Sequence, residues 1–181
     1  MKPTRQNLFH ALVALLILLS PAGLRAQDRY ALVAPNGIKF SEIRGYEDWS
    51  FVAPSFRTDN NEVRVILANK AMIDSYRLGA GGTGGAFPDG SIIVKIGYSA
   101  VTSPSFAAAL VPGILKRVEF IIKDSARFPV TSGWGYARFV YDPSKKTFTP
   151  YGKDANFVQE CYACHTIVKD QDFIFTKYPP R

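Results

Sequence analysis

Long apolar runs are missing from this chain, with one exception at the N-terminus. Leu8 to Leu19 is apolar apart from His10, a run of 12 residues, whereas spanning a bilayer takes roughly 20 mostly apolar residues. Lys2 and Arg5 precede the run and Ser20-Pro21-Ala22-Gly23 ends it, the layout of a secretory signal peptide with Ala26 as the last residue removed. An uncleaved anchor is the weaker reading. The expected organisation is a signal peptide over 1–26 and one domain over 27–181, exported to the periplasm without stable membrane insertion. Lys2, Arg5 and Arg25 leave with the leader and no acid does, so the formal charge falls from +7 to +4. An excess that small, with no dense basic stripe, argues against a nucleic-acid partner.

Histidine and cysteine are scarce as well. Because His10 departs with the leader, His165 is the one histidine of the mature chain, and Cys161 and Cys164 are its two cysteines. A structural zinc site wants four Cys or His ligands, more than this inventory supplies. Methionine is reduced to Met72 after the initiator is lost.

Aromatic residues, by contrast, are plentiful: 13 Phe, 9 Tyr and 2 Trp provide ample core area for one compact domain. After a polar lead-in, Trp49 to Ala53 reads as a short strand and Glu62 to Leu67 as a second. Asn69 is placed to cap a helix over Lys70 to Leu78, closed by Gly79. Ser91 to Tyr98, Ile114 to Lys123 and Trp134 to Tyr141 are further strands, the last closed by Asp142-Pro143-Ser144, and Phe157 to Thr166 suits a short helix. Strands first, with helices at a few joints, predicts a mainly β (α+β) fold: an antiparallel sheet with a few short helices rather than βαβ units. Gly79-Ala80-Gly81-Gly82-Thr83-Gly84 satisfies G-x-G-x-x-G, but a helix precedes it and Pro88 follows, the wrong context for a dinucleotide site. It reads as a flexible loop. Trp49, Trp134, Tyr136 and Phe139 alternate at strand spacing and could line a cofactor pocket, but core packing explains them without one.

The motif that carries chemistry is Cys161-Tyr162-Ala163-Cys164-His165, a C-x-x-C-H sequence. In such a motif two thiols add to the vinyl groups of one haem, and the adjacent histidine becomes an axial iron ligand. Three residues apart on a helical turn, the sulfurs face the same way. A thioredoxin-type thiol pair would sit near a βαβ pattern, and a plain disulfide would close a very short loop of little stabilising value. With both cysteines committed to haem, no disulfide is expected. His165 being the sole mature histidine, a bis-His haem is excluded within one chain, and Met72 on its helix reads as packing. The sixth iron position is then open, although a lysine could in principle fill it, and ligand binding or catalysis becomes more plausible than simple electron transfer.

Taken in order, Gly45-Tyr46-Glu47-Asp48-Trp49, Glu62-Val63-Arg64, Phe87-Pro88-Asp89-Gly90-Ser91-Ile92-Ile93-Val94-Lys95, Val118-Glu119-Phe120-Ile121-Ile122-Lys123-Asp124-Ser125, Arg127-Phe128, the haem motif and Asp172-Phe173-Ile174-Phe175-Thr176 resemble the cytochrome P-460 family and its relative cytochrome c-prime-beta. The resemblance implies a homodimer with haem on one face of the sheet. It also implies that Lys95 matches the lysine joined covalently to the macrocycle in the hydroxylamine-oxidising members, and that Glu119 matches their distal carboxylate, the expected catalytic base. Arg64 matches a family arginine suited to a haem propionate. Alternation along Ser91 to Tyr98 places Lys95 on a face with Ile93 and Gly97, where a glycine would admit a bulky group. Relatives carry an aromatic residue over the distal face where this chain has Asn60 and Asn61, with Phe56 farther back, which implies a more polar pocket.

Three functions follow. The first is oxidation of hydroxylamine to nitrogen oxides, with a cytochrome as redox partner. The second is binding of nitric oxide or carbon monoxide without turnover. The third is electron transfer with Met72 as ligand.

Overall fold

The computed structural model describes residues 26–152 and 158–181. The expected signal peptide, all but Ala26, and Phe157 lie outside the described residues. Six strands form one antiparallel sheet in chain order: β1 (Ser50–Arg57), β2 (Glu62–Ala68), β3 (Ile92–Thr102), β4 (Leu110–Lys123), β5 (Trp134–Asp142) and β6 (Thr147–Pro150). One helix, α1 (Lys70–Arg77), joins β2 to β3. Asn69 caps it as expected, its Oδ1 accepting from Met72 N at 3.1 Å and also from Ile92 N at 3.1 Å, so one side chain ties the helix start to the next strand. No helix among the described residues is long and apolar enough to cross a membrane.

Several boundaries differ from expectation. β1 runs on through Pro54 to Arg57, because it is an edge strand where a missing N–H costs no ladder bond. β6 was not foreseen; its four residues lack a period long enough to read. The segment at the haem motif mixes helical types, Val158–Tyr162 as a π turn, Ala163–His165 as α and Thr166–Gln171 as 3-10, and continues beyond Thr166.

The two faces of the sheet are unlike. Val94, Val118, Phe120 and Phe139 point to one side, all at 0–1% exposure. The lead-in before β1 covers them and is not merely polar: its Ile38, Phe40, Ile43 and Tyr46 are buried. Phe40 is the centre of that cover, with ring centroids 4.9 Å from Phe139, 5.4 Å from Phe148 and 6.3 Å from Phe120. Burying a side chain of that size contributes about 1.5–3 kcal/mol by transfer alone. Met72 is fully buried in the same core. The other face carries charges in register. Ala53, Ile66, Lys95, Glu119 and Arg138 form one cross-strand row from β1 to β5.

Candidate haem site

Alternation alone sets this row. Residues two apart along a strand share a face, so Ile93, Lys95 and Gly97 on β3 stand opposite Ile121, Glu119 and Arg117 on β4. Tyr136 and Arg138 on β5 face Ile121 and Glu119 in turn. The C-terminal segment packs over this face, and a cavity of about 700 Å³ lies between them. Lys95, Glu119, Arg64, Cys161, Cys164 and His165, the six site residues expected from sequence, all line it.

Glu119 is 8% exposed and gathers three cations. Lys95 Nζ lies 2.7 Å from Oε2, Arg138 Nε donates to Oε1 at 2.5 Å, and Arg117 Nε is 3.3 Å from Oε2. Burial by itself would raise the carboxyl's pKa. Lys95 above all, then Arg138 and Arg117, outweigh it and hold the group down at about 2. Glu119 therefore belongs to a buried ion cluster. Lys95 likewise turns into the cavity instead of outward.

Gly97 serves a different purpose from the one its neighbourhood suggested. A Cβ there would come within 3.1 Å of the Glu62 carboxylate, so the space it leaves is filled by Glu62, fully buried and held by Arg117 at 2.7 Å. Arg64 donates from Nη2 to Ser55 Oγ at 2.7 Å, while its buried Nε has no partner. Burial lowers the pKa of this guanidinium.

His165 is fixed on three sides. Its Nδ1–H donates to the Phe173 carbonyl at 2.6 Å, and the rings of Tyr136 and Phe175 meet it edge-on at 5.1 and 5.0 Å. Burial lowers its pKa, which favours neutral imidazole. With Nδ1 engaged as donor, Nε2 is left as the metal-binding nitrogen. Burial likewise pushes the Cys161 thiol up to about 11.

Asn60 and Asn61 do not make the cavity polar, because neither lines it. They sit in the β1–β2 turn, where Asn61 adopts φ 50° and donates to the Ala100 carbonyl at 3.2 Å. Nor does the glycine-rich loop border it. That loop folds tightly, with Gly84 where a Cβ would lie 2.3 Å from Leu78 O, and edges a separate cavity of about 440 Å³. Met72 is also absent from the lining. Arg138 was missed as a site residue and Tyr136 was assigned to core packing; the register of β5 against β4 puts both on the Glu119 face. The Tyr136 hydroxyl is buried without a partner, and burial raises its pKa, so it stays protonated.

The residues present fit a haem. Ile66, Ile93 and Ile121 give an apolar floor, and two residues of the lining, Arg64 and Tyr136, carry buried polar atoms, Arg64 Nε and the Tyr136 hydroxyl, that no protein group satisfies. Two thiols and a neutral imidazole on one short helical stretch complete the donor set. Fold and site together define a haem-binding cytochrome built on an antiparallel sheet. The family model for Cytochrome P460 matches residues 43–176, most of the chain and every site residue named above, and the chain belongs to that family. No curated protein matches it.

Proposed function

We propose that the chain is an exported, periplasmic mono-haem oxidoreductase that oxidises hydroxylamine to nitrogen oxides and passes the electrons to a partner cytochrome. In this reading Cys161 and Cys164 carry the thioether bonds, His165 Nε2 binds iron, Arg64 meets a propionate, and Lys95 joins the macrocycle. When bound, haem supplies the redox-active iron that takes electrons from the substrate nitrogen. Each electron that leaves hydroxylamine must be matched by a proton, and Glu119, on the sheet wall of the cavity, is the carboxylate assigned to accept it; Glu160 also lines the cavity, from the segment that carries the cysteines.

The observation that carries this reading is the Lys95–Glu119 contact at 2.7 Å in the cavity that also holds His165. While Lys95 is an ammonium, Glu119 is too acidic to act as a base near neutral pH. An amine nitrogen bonded to the macrocycle would no longer hold that charge, and Glu119 would recover the part of its proton affinity that Lys95 removes. The lysine thus tunes the carboxylate against the two cations that remain beside it, Arg138 and Arg117. The same observation favours a second reading if Lys95 stays unmodified: a haem protein that binds nitric oxide or carbon monoxide without turnover.

Glu119→Ala tests the first reading. It should abolish hydroxylamine oxidation while haem remains covalently attached and the Lys95 adduct is still found by peptide mapping. Undiminished turnover would remove Glu119 from the mechanism.

A further inference from the structure

Asp172 lines neither cavity and no step above uses it, yet its carboxylate gathers donors from three parts of the fold. Oδ1 accepts from Lys123 Nζ at 2.9 Å and Trp134 Nε1 at 3.3 Å, and Oδ2 accepts from Phe87 N at 2.9 Å and Lys123 Nζ at 3.1 Å. Lys123 is itself 7% exposed, donates to Ser132 O at 3.1 Å and lies 4.7 Å from the Trp134 ring centre. A buried ion pair with its other hydrogen bonds made gives little net stability, and its best-attested use is to fix one conformation.

The conformation fixed here is unusual. Asp172 and Phe173 are consecutive non-glycine residues in the left-handed region, at φ 48° and 62°. Side chains disfavour that region, so the turn persists because its surroundings hold it. Tyr162 adds to them, its ring tilted against that of Phe173 with centroids 5.2 Å apart. The turn reverses the chain after the helical segment ending at Gln171, and its product is the Phe173 carbonyl set 2.6 Å from His165 Nδ1.

We propose that Asp172 is a positioning residue for the iron ligand: clamped by Lys123, Trp134 and Phe87 N, it locks the left-handed turn that aims the Phe173 carbonyl at His165 Nδ1, and so sets how strongly His165 donates to iron. The inference rests on the reading of His165 as axial ligand and not on the substrate. A hydrogen bond to the outer nitrogen makes an imidazole more basic toward its metal. A stronger donor favours ferric over ferrous iron. The clamp therefore acts on the haem from a point that touches neither haem nor substrate.

The test is the haem-loaded protein with Asp172→Ala, read by the iron–histidine stretching frequency of the ferrous form and by the midpoint potential. The expected result is a lower frequency and a higher potential. Because removing Asp172 strands the Lys123 charge, the double variant Asp172→Asn with Lys123→Met removes both charges and should move both readings in the same direction by less. Ile38→Ala, which loosens the opposite face, should move neither. If the folded Asp172 variants keep the native frequency and potential, Asp172 is merely structural and the proposal is wrong, whatever happens to turnover. A wild-type protein without an iron–histidine band would overturn the ligand assignment and this inference together, but hydroxylamine turnover does not enter either reading.

Discussion

The two faces of the one sheet use the same strands in opposite ways. On one side Val94, Val118 and Phe139 are sealed under Phe40 and do nothing but pack. On the other, side chains one residue away along each strand form the Lys95–Glu119–Arg138 row and the wall of a cavity. The difference teaches where stability and chemistry are kept. The apolar face can hold the fold while the charged face carries groups that would be poor stabilisers, since ion pairs out of water recover little of their desolvation cost.

The comparison breaks first at Phe40. Phe40→Ala should cost about 3–5 kcal/mol, read from urea unfolding, while the fraction still folded attaches haem and binds ligands as before. A changed haem spectrum in that folded fraction would show that the faces are not independent. A smaller effect comes from the charged face. Burial raises the Glu119 carboxyl but its cations hold it at about 2, below its ordinary value of 4.5. A depressed carboxyl contributes stability that is present above pH 4.5 and lost as pH falls toward 2. The contribution is on the order of 3 kcal/mol, and Glu119→Gln should flatten that acid limb in the haem-free chain. If the limb persists unchanged, the ion cluster is not the source. The smallest effect lies away from both faces, at Asn69→Ala, which removes the cap of α1 and should cost about 1 kcal/mol without altering haem attachment.

Much of this division was legible in sequence, and the rest failed for identifiable reasons. Period-two alternation gave Lys95 its face and, through the same rule, would have given Arg138, had the register of β4 against β5 been known. Register depends on turn geometry that a strand pattern does not encode. The lead-in before β1 looked polar because its buried residues, Ile38 in irregular chain and Phe40, Ile43 and Tyr46 in short 3-10 turns, follow no period to detect. Gly97 was correctly read as a place of close approach, but its occupant, the side chain of Glu62, comes from a neighbouring strand. Asn60 and Asn61 were expected at the pocket by likeness to relatives and instead close a turn.

The proposed function depends on Lys95 being joined to the macrocycle and so no longer holding a charge against Glu119. The absorption spectrum of the ferrous haem-loaded protein tests this most directly, with peptide mapping to locate any adduct. A strongly red-shifted main band, with haem found on Lys95, is the result predicted. An ordinary five-coordinate ferrous spectrum with Lys95 unmodified would contradict it and leave a gas-binding cytochrome in its place.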